Sequence, residues 1–247
     1  MRLALITDLH FRGAVPGTSR IAKREGRRAL ELLDQVLERC ATAGVDLLVC
    51  AGDCVDTHED PNVFRDLETL RDHFAGAPCP TIVVPGNHDP APDAFYRVFP
   101  QPPRISRFGD VEVLSFYDDS IEGGAQRSTR SYELLDFMRD HLATNPPDVT
   151  HTVCVQHYVV HPPHDGPGYA HPYANDAEIR AILESSPRRL LVLSGHNHAG
   201  HALTDHNGVT YFTARALCER PYPYYLLDFE GPALHVQSLA LDTSHEP

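Results

Sequence analysis

The feature that most restricts how this chain can fold is the alternation of short apolar stretches with longer amphipathic ones. Near the N-terminus, residues 2–7, 46–50 and 81–84 are apolar stretches of strand length. Between them, residues 21–43 and 62–74 place apolar side chains at helical spacing. Because a strand–helix–strand order gives parallel strands joined by crossover helices, we predict a parallel α/β unit in this part of the chain.

The alternation continues through the middle of the chain and then stops. Further strands are predicted at 111–117, 152–156 and 190–193, and further helices near 131–143 and 176–185. After Gly208, strands without intervening helices are predicted at 209–213, 222–229 and 233–239. We find no linker, repeat or low-complexity tract. A single domain over residues 1–247, with two sheets and helices outside them, is therefore expected.

Charge and hydropathy limit the classes of function. The formal net charge is −13, and a field of that sign repels nucleic-acid backbones, so a nucleic-acid partner is not expected. No run of about 18 apolar residues occurs, so no membrane span is expected. The six cysteines are scattered without a Cys-x-x-Cys pair, and the N-terminus lacks the long apolar region of a secretion signal. These features predict a protein of the reducing cytoplasm.

Polar side chains suited to metal binding or acid–base chemistry follow the predicted strands at the point where each strand ends. They are Asp8 and His10 in DLH, Asp53 and Asp56 in GDCVD, Asn87, His88 and Asp89 in GNHD, His157, and His196 and His198 in GHNH. In open α/β sheets, ligands bind in the crevice outside the carboxyl ends of the strands. We therefore expect these side chains to meet at one end of the sheets.

The spacing within the motifs suggests how the side chains converge. Asp8 and His10 are two residues apart, as are His196 and His198. Residues i and i+2 point the same way along an extended backbone, so each pair is expected to hold one ion. Glycines, which are expected where the backbone turns sharply, precede the polar groups of three motifs: Gly52, Gly86 and Gly195.

The donor set is a mixture of nitrogen and oxygen without a thiolate. Such a set suits Mn²⁺, Fe, Zn²⁺, Co²⁺ or Ni²⁺ better than Ca²⁺ or Mg²⁺, which prefer oxygen cages. The candidate ligands are Asp8, His10, Asp53, Asn87, His157, His196 and His198. They are too many for one ion, but they suit two ions that share a carboxylate.

The order of these motifs resembles that of the calcineurin-like metallophosphoesterases. The series D-L-H, G-D-x-x-D, G-N-H-D, a single later His and G-H-N-H extends from Asp8 to His198. Each motif alone occurs by chance, whereas all of them in order, each after an apolar strand, form a specific pattern. The resemblance implies an α/β fold of four layers, an αββα sandwich in which helices flank two mixed β-sheets.

The resemblance also implies a role for each candidate residue. It places Asp8, His10 and His198 on one metal ion, and Asn87, His157 and His196 on the other. Asp53 would bridge the two ions. His88 matches a histidine of the family that binds no metal and donates a proton or polarises the phosphate, and Asp56 matches the carboxylate that pairs with it.

The function that follows is a dinuclear metal-dependent phosphoesterase, with Mn²⁺ as the expected metal. A hydroxide that bridges the ions would attack a small phosphodiester or phosphomonoester in line, and we favour the diester. The alternatives are a nuclease of the same superfamily and a non-catalytic binding scaffold. The acidic charge and the short segment after His198 disfavour the nuclease. The complete ligand set and His88 disfavour the scaffold.

Several residues outside the motifs have two interpretations that the sequence leaves open. Arg12, Arg20 and Arg215 follow strand ends or lie on adjacent loops, so each is either a phosphate ligand or an exposed arginine. His201 either supports a metal ligand from outside the cluster or has no role in the site. The segment after His157 is either a specificity loop at the rim of the site or a proline-stiffened surface loop. It carries Tyr158, His161, His164, Tyr169, His171 and Tyr173.

Overall fold

The strands pair into two large sheets and one short hairpin. The structure is a computed structural model that describes residues 1–121, 127–163 and 173–241. Its strands, in chain order, are β1 (Arg2–Ile6), β2 (Leu47–Cys50), β3 (Thr81–Val83), β4 (Ile105–Phe108), β5 (Val111–Ser115), β6 (Ser120–Ile121), β7 (Ser128–Thr129), β8 (His151–Val155), β9 (Leu190–Ser194), β10 (His201–His206), β11 (Val209–Thr213), β12 (Pro223–Glu230) and β13 (Ala233–Ala240).

The helices lie between the strands in the order that the sequence predicts. They are α1 (Ala29–Ala43), α2 (Val63–Phe74), α3 (Pro92–Phe95), α4 (Tyr132–Leu142) and α5 (Asp176–Glu184), with a short 3₁₀ helix at Gly26–Arg28. Within the described ranges, each helix is too short or too polar to cross a lipid bilayer.

Both large sheets are mixed. The first has the order β13-β12-β1-β2-β3, in which β1, β2 and β3 are parallel and β12 runs antiparallel to β1. The second has the order β10-β11-β9-β8-β5-β4, with parallel strands in the centre and an antiparallel strand at each edge. The hairpin pairs β6 with β7. The parallel unit predicted for the N-terminal part is therefore confirmed.

Three apolar cores separate four layers. Between the sheets, Leu3 and Leu5 of β1 meet residues such as Val153 and Leu193 of the second sheet. The alternate side chains of β1 pack under α1 and α2 in a second core, and those of β8 and β9 pack under α4 and α5 in a third. Because both faces of these strands are covered, their sequences are largely apolar. The predicted αββα sandwich is confirmed.

One predicted helix begins later in the structure than in the sequence. Helical spacing predicts a helix over 21–43, whereas α1 begins at Ala29. Gly26 lies against the backbone of His10, where a Cβ atom would meet the His10 carbonyl oxygen, and its own carbonyl accepts a hydrogen bond from Arg12 N at 3.3 Å. This contact holds residues 12–25 as a loop above the end of β1.

The sequence also misses strands at the edges of the second sheet. β10 exposes most of its side chains, and β4 alternates between exposed and partly buried ones. An edge strand that faces solvent does not need apolar residues, so hydropathy does not reveal it. The consecutive strands predicted after Gly208 are present without a helix between them in the described range 209–240, although β11 joins the second sheet and β12 and β13 join the first.

Candidate metal centre

The loops that follow β1, β2, β3, β8 and β9 are tied together by their backbones. Asp8 N donates to Gly52 O at 2.9 Å, and His10 N donates to Asp53 O at 3.0 Å. His196 N, which belongs to the second sheet, donates to the Asp8 carboxylate at 3.1 Å. The carboxyl ends of the strands in both sheets therefore meet at one place, as the sequence predicts.

The backbone geometry of these loops differs from the extended one assumed for the sequence. Asp8, His10, Asp53 and His196 have φ angles of 54°, 45°, 52° and 66°. Residues other than glycine rarely adopt this left-handed region, and they do so mostly where the surrounding structure holds them at a functional site. The i, i+2 argument is therefore wrong for these loops. Asp8 and His10 point into the same space because the chain coils after β1.

The motif glycines mostly provide room. A Cβ atom at Gly195 would meet the Thr7 hydroxyl oxygen and lie 2.8 Å from the Asp8 carboxylate. A Cβ atom at Gly86 would meet the Asp53 carboxylate. These two positions need glycine because other loops pass so close to them. The positive φ expected for a sharp turn is found at Gly52.

Three buried side chains and the partly buried His198 form the first group, which we call cluster one: Asp8, His10, Asp53 and His198. Their ligand atoms lie within 4.8 Å of one another. The Nε2 atoms of His10 and His198 are 3.0 Å apart. His198 Nε2 is 3.3 Å from Asp8 Oδ1, and His10 Nε2 is 3.6 Å from Asp53 Oδ2.

Cluster two consists of Asp53, Asn87, His157 and His196. The donor atoms of Asp53, His157 and His196 lie within 4.8 Å of one another. His157 Nε2 is 3.2 Å from Asn87 Oδ1 and 3.4 Å from Asp53 Oδ1. Asp53 thus turns one carboxylate oxygen toward each cluster. The structure brings together all seven candidate ligands of the sequence analysis.

The donor atoms of these clusters fit divalent cations. Asp8 Oδ1 is buried and has no hydrogen-bond partner among the described residues, which leaves a charged oxygen free for a ligand. Burial lowers the pKa of His10 to about 4, so its imidazole is neutral and can bind a metal. Burial disfavours the charged form of His157 too, but the nearby Asp53 carboxylate prevails and raises the pKa of His157 to about 9. The site therefore has a negative field that attracts cations.

In two histidines a hydrogen bond holds the Nδ1 atom, so that Nε2 faces a cluster. His157 Nδ1 donates to the carbonyl oxygen of Ala51 at 2.7 Å, and His198 Nδ1 donates to Glu219 Oε1 at 2.5 Å. Because a carbonyl or carboxylate oxygen only accepts, the lone pair of each ring lies on Nε2 once the second ring proton has left. The sequence does not indicate Glu219, because this residue lies outside the motifs and reaches His198 only in the folded structure.

Cys218 also lies beside cluster one, which the sequence did not indicate. Its sulfur atom is within 4.8 Å of ring nitrogens of His10 and His198. Burial raises the pKa of this thiol, so it stays protonated at neutral pH.

Asp89 connects the loops after β2 and β3 through hydrogen bonds and does not face a cluster. Its buried carboxylate accepts hydrogen bonds from the backbone of Cys54, Val55 and Gly86, at 3.1, 3.0 and 2.8 Å. These bonds connect the loop that carries Asp53 to the loop that carries Asn87 and His88. Burial, opposed by these bonds, raises the pKa of Asp89 to about 7.

His88 contacts Asp56 through a different atom from the one predicted. His88 Nδ1 donates to the backbone carbonyl oxygen of Asp56 at 2.6 Å. The Asp56 carboxylate instead accepts from Arg12 Nη1 at 2.6 Å and from the Ser19 hydroxyl at 3.0 Å. A guanidinium is a charged donor and binds a carboxylate more strongly than a neutral imidazole does. The Nε2 atom of His88 is left facing the clusters.

The predicted arginines have different environments. Arg12 is bound to Asp56, the side chain of Arg20 is 95% exposed, and Arg215 is exposed. An arginine that the sequence analysis did not select lies closest to the clusters. The side chain of Arg24 is 12% exposed, and its guanidinium lies 3.5 Å from imidazole nitrogens of three histidines: His10, His88 and His198.

A cavity of about 570 Å³ opens beside the clusters. Its lining includes Arg12, Arg24, Asp56, Thr57, Asn87 and His88. It gives a small organic molecule access to the side of the clusters on which His88 lies.

The segment after His157 is described only in part. The ring of Tyr158 lies 5.0 Å from that of His157 and 5.3 Å from that of His196, so it packs on cluster two. His161 stacks on His206 at 4.2 Å, and Tyr173 donates to Asp119 at 2.5 Å. Three residues of the predicted rim lie outside the described residues: His164, Tyr169 and His171. His201 contacts the side chain of Asn197.

Comparison with known proteins agrees with the family resemblance and with the fold. The calcineurin-like phosphoesterase family matches residues 1–200. A dimetal phosphatase from Danio rerio superposes over 97% of this chain and 98% of its own, with a TM-score of 0.73 and 15% identity. For purple acid phosphatase PPD1 from yellow lupin, the shares are 97% and 51%, with a TM-score of 0.63 and 11% identity. For GAP50, the anchor in the inner membrane complex of Plasmodium, they are 97% and 84%, with a TM-score of 0.59 and 12% identity. No curated protein sequence matches.

Proposed function

Because the chain belongs to the calcineurin-like phosphoesterase family, we propose that it is a dinuclear metal-dependent enzyme that hydrolyses a small phosphodiester or phosphomonoester. The main support for this proposal is the position of Asp53 between the two clusters. Its two carboxylate oxygens face different clusters of imidazole and oxygen donors. A carboxylate shared in this way is typical of sites that hold two cations close together.

The proposed ligand roles follow the two clusters. Cluster one would hold one ion through Asp8, His10 and His198, and cluster two would hold the other through Asn87, His157 and His196, with Asp53 shared. Mn²⁺ is the proposed metal, with Fe, Zn²⁺, Co²⁺ and Ni²⁺ as alternatives that the same donors accept. Two such ions supply a nucleophilic water at neutral pH and neutralise charge on the phosphoryl oxygens.

His88 is the proposed proton donor. The Asp56 carbonyl holds the Nδ1 proton of His88, and this contact orients Nε2 toward the space beside the clusters. A proton carried on Nε2 can pass to the leaving oxygen, which is the work of a general acid. Asp56 therefore acts as a positioning residue through its backbone, while Arg12 fixes its carboxylate.

Two wider features accompany the proposal. β13 pairs along its length with β12, which belongs to the same sheet as β1, and this supports a single domain over residues 1–247. The cytoplasm is the proposed compartment, because the six cysteines are scattered along the sequence without a Cys-x-x-Cys pair.

A metal-reconstitution assay tests the function. Protein stripped with a chelator and reloaded with Mn²⁺ is assayed on a chromogenic diester, a chromogenic monoester, cyclic nucleotides, pyrophosphate, plasmid and single-stranded DNA. We expect chelation to abolish hydrolysis of at least one small ester and Mn²⁺ to restore it. Cleavage of DNA in preference to small esters would instead identify a nuclease. Absence of turnover with every metal would identify a binding scaffold.

A further inference from the structure

The loop between β1 and α1 carries Arg24 to the metal centre. It is fixed at its end by the contact of Gly26 with the His10 backbone and by a hydrogen bond of 2.8 Å from Glu25 N to Cys218 O. Since Cys218 follows β11 and His10 follows β1, both sheets hold the loop. Arg24 is therefore placed beside the clusters by a fixed backbone.

The guanidinium of Arg24 is poorly satisfied where it lies. Its Nε atom is buried without a hydrogen-bond partner among the described residues, and its nearest carboxylate oxygen, on Asp56, is 3.8 Å from Nη1. Arg27, on the same segment, donates instead to three backbone carbonyls at 2.8 to 3.1 Å. A buried guanidinium with five donors and no close oxygen acceptor is costly unless a ligand supplies one.

The histidines around Arg24 do not supply that acceptor. The Nε2 atoms of His10 and His198 face cluster one, where their lone pairs would serve a metal ion, and His10 Nδ1 faces the Asp56 carboxylate at 3.7 Å. His88 Nε2 lies 3.5 Å from Arg24 Nη1, and it cannot accept from Arg24 while it carries the proton of the proposed general acid. A nitrogen that binds a cation cannot also accept from Arg24. A guanidinium beside a cation site is moreover repelled unless an anion lies between them. The missing partner is therefore an anion with exposed oxygens.

We propose that Arg24 binds a phosphoryl oxygen of the substrate, as a cationic contact in addition to the metal ions. This inference rests on the function proposed above. Arg24 Nη1 lies 3.5 Å from His88 Nε2, so the same phosphoryl group meets both the guanidinium and the proposed proton donor. The cavity that exposes Arg24 and His88 gives this group an entrance. The planar fork of arginine matches the oxygens of a phosphate.

Binding of inorganic phosphate to the Mn²⁺-loaded protein tests the proposal without turnover. Calorimetry compares wild type with Arg24→Gln, Arg24→Lys and Arg65→Gln, with manganese content measured for each. We expect Arg24→Gln to bind phosphate about 10- to 100-fold more weakly with unchanged manganese content, because a charge-assisted hydrogen bond is lost. Arg24→Lys keeps the charge but loses the fork, so its affinity should be intermediate. Arg65→Gln, an exposed change of the same charge on α2 and away from the cavity, should bind as wild type does.

The outcomes separate this inference from the proposed function. Wild type that hydrolyses esters, together with Arg24→Gln that binds phosphate equally well, overturns the role of Arg24 alone. Loss of manganese in a folded Arg24→Gln protein also overturns it, since Arg24 would then support the clusters. Wild type that binds no manganese and hydrolyses no ester overturns the proposed function itself. Melting curves identify any variant that fails to fold, and Arg24→Lys then provides the comparison.

Discussion

Cluster one and cluster two share Asp53, but their histidines are held in different ways. In cluster one, His198 is held by the side chain of Glu219, which also pairs with Lys23 at 2.8 Å. In cluster two, His157 is held by the backbone carbonyl of Ala51, the residue just after β2. One histidine thus depends on a side chain that a mutation can remove, and the other depends on the fold itself.

This difference has a physical consequence. A carboxylate partner adds negative charge to the imidazole and makes it a stronger metal ligand, whereas a neutral carbonyl mainly orients the ring. We therefore expect cluster one to be open to tuning by substitution at its periphery. Cluster two should respond only to changes in its own ligands or in the backbone.

The largest effect is expected from a substitution of Asp53, the residue common to both clusters. Asp53→Asn keeps the shape of the side chain but removes its charge, so the shared carboxylate is lost from both sites. We expect metal content to fall in both clusters and activity to fall by at least about a thousandfold. Elemental analysis and steady-state kinetics measure the two effects. Asp72→Asn, an exposed change on α2, is the control, and full metal content in Asp53→Asn contradicts the shared role.

His88→Ala should separate chemistry from metal binding. His88 lies in neither cluster, and its backbone N–H donates to Asp53 Oδ1 at 2.9 Å whatever its side chain is. We expect both ions to remain, while kcat falls by about 10²- to 10⁴-fold because a general acid is lost. Exposed His235→Ala serves as the control. A variant with full turnover removes His88 from the mechanism.

Glu219→Gln tests the difference between the clusters directly. The amide keeps a hydrogen bond to His198 without the charge, so affinity for one ion should fall about 10- to 100-fold while the other ion is retained. Titration calorimetry with Mn²⁺ resolves the two events. Glu133→Gln, exposed on α4, is the matched control. Equal weakening of both sites would show that the clusters do not differ in this way.

The smallest expected effect is a pH dependence of metal affinity. Burial lowers the pKa of His198, but the neighbouring carboxylates of Asp8 and Glu219 prevail and raise it to about 9, the value that His157 also reaches. Below pH 9 a metal must displace these protons, so affinity should rise with pH by up to about tenfold per unit for each cluster. His10, with a pKa of about 4, adds nothing above pH 5.

Calorimetry at pH 7.5 in two buffers of different ionisation enthalpy counts the protons released. In Glu219→Gln the pKa of His198 should fall, so that cluster one releases fewer protons and cluster two is unchanged. Metal affinity that is constant between pH 6 and pH 9 contradicts the assignment of both histidines.

Much of the fold and of the candidate ligand set follows from the sequence, because both depend on patterns within short segments. Strands such as β1, β8 and β9 are largely apolar since both of their faces are covered. The candidate ligands follow these strands directly, and parallel strands place their carboxyl ends together. The resemblance to the calcineurin-like family is confirmed by the match over residues 1–200.

The parts that were missed depend on contacts between distant segments. The start of α1 at Ala29 is set by the close contact of Gly26 with His10. Helical periodicity does not depend on that contact, so it cannot predict it. The left-handed backbone at Asp8 and His10 is imposed by loops from the other strands. Helical or strand spacing describes a segment in isolation, so it cannot register such constraints.

The sequence by itself thus determined the layers, the family and the identity of the candidate ligands, since these depend on hydropathy and on residue order along single strands. Tertiary structure decided the supporting contacts. It brought Glu219 to His198, turned the Asp56 carboxylate toward Arg12, and left the Arg24 guanidinium beside the clusters, with its nearest carboxylate oxygen 3.8 Å away. The reason is that a side chain's partner is fixed by where the backbone of another segment passes, and only the folded chain brings the two segments together.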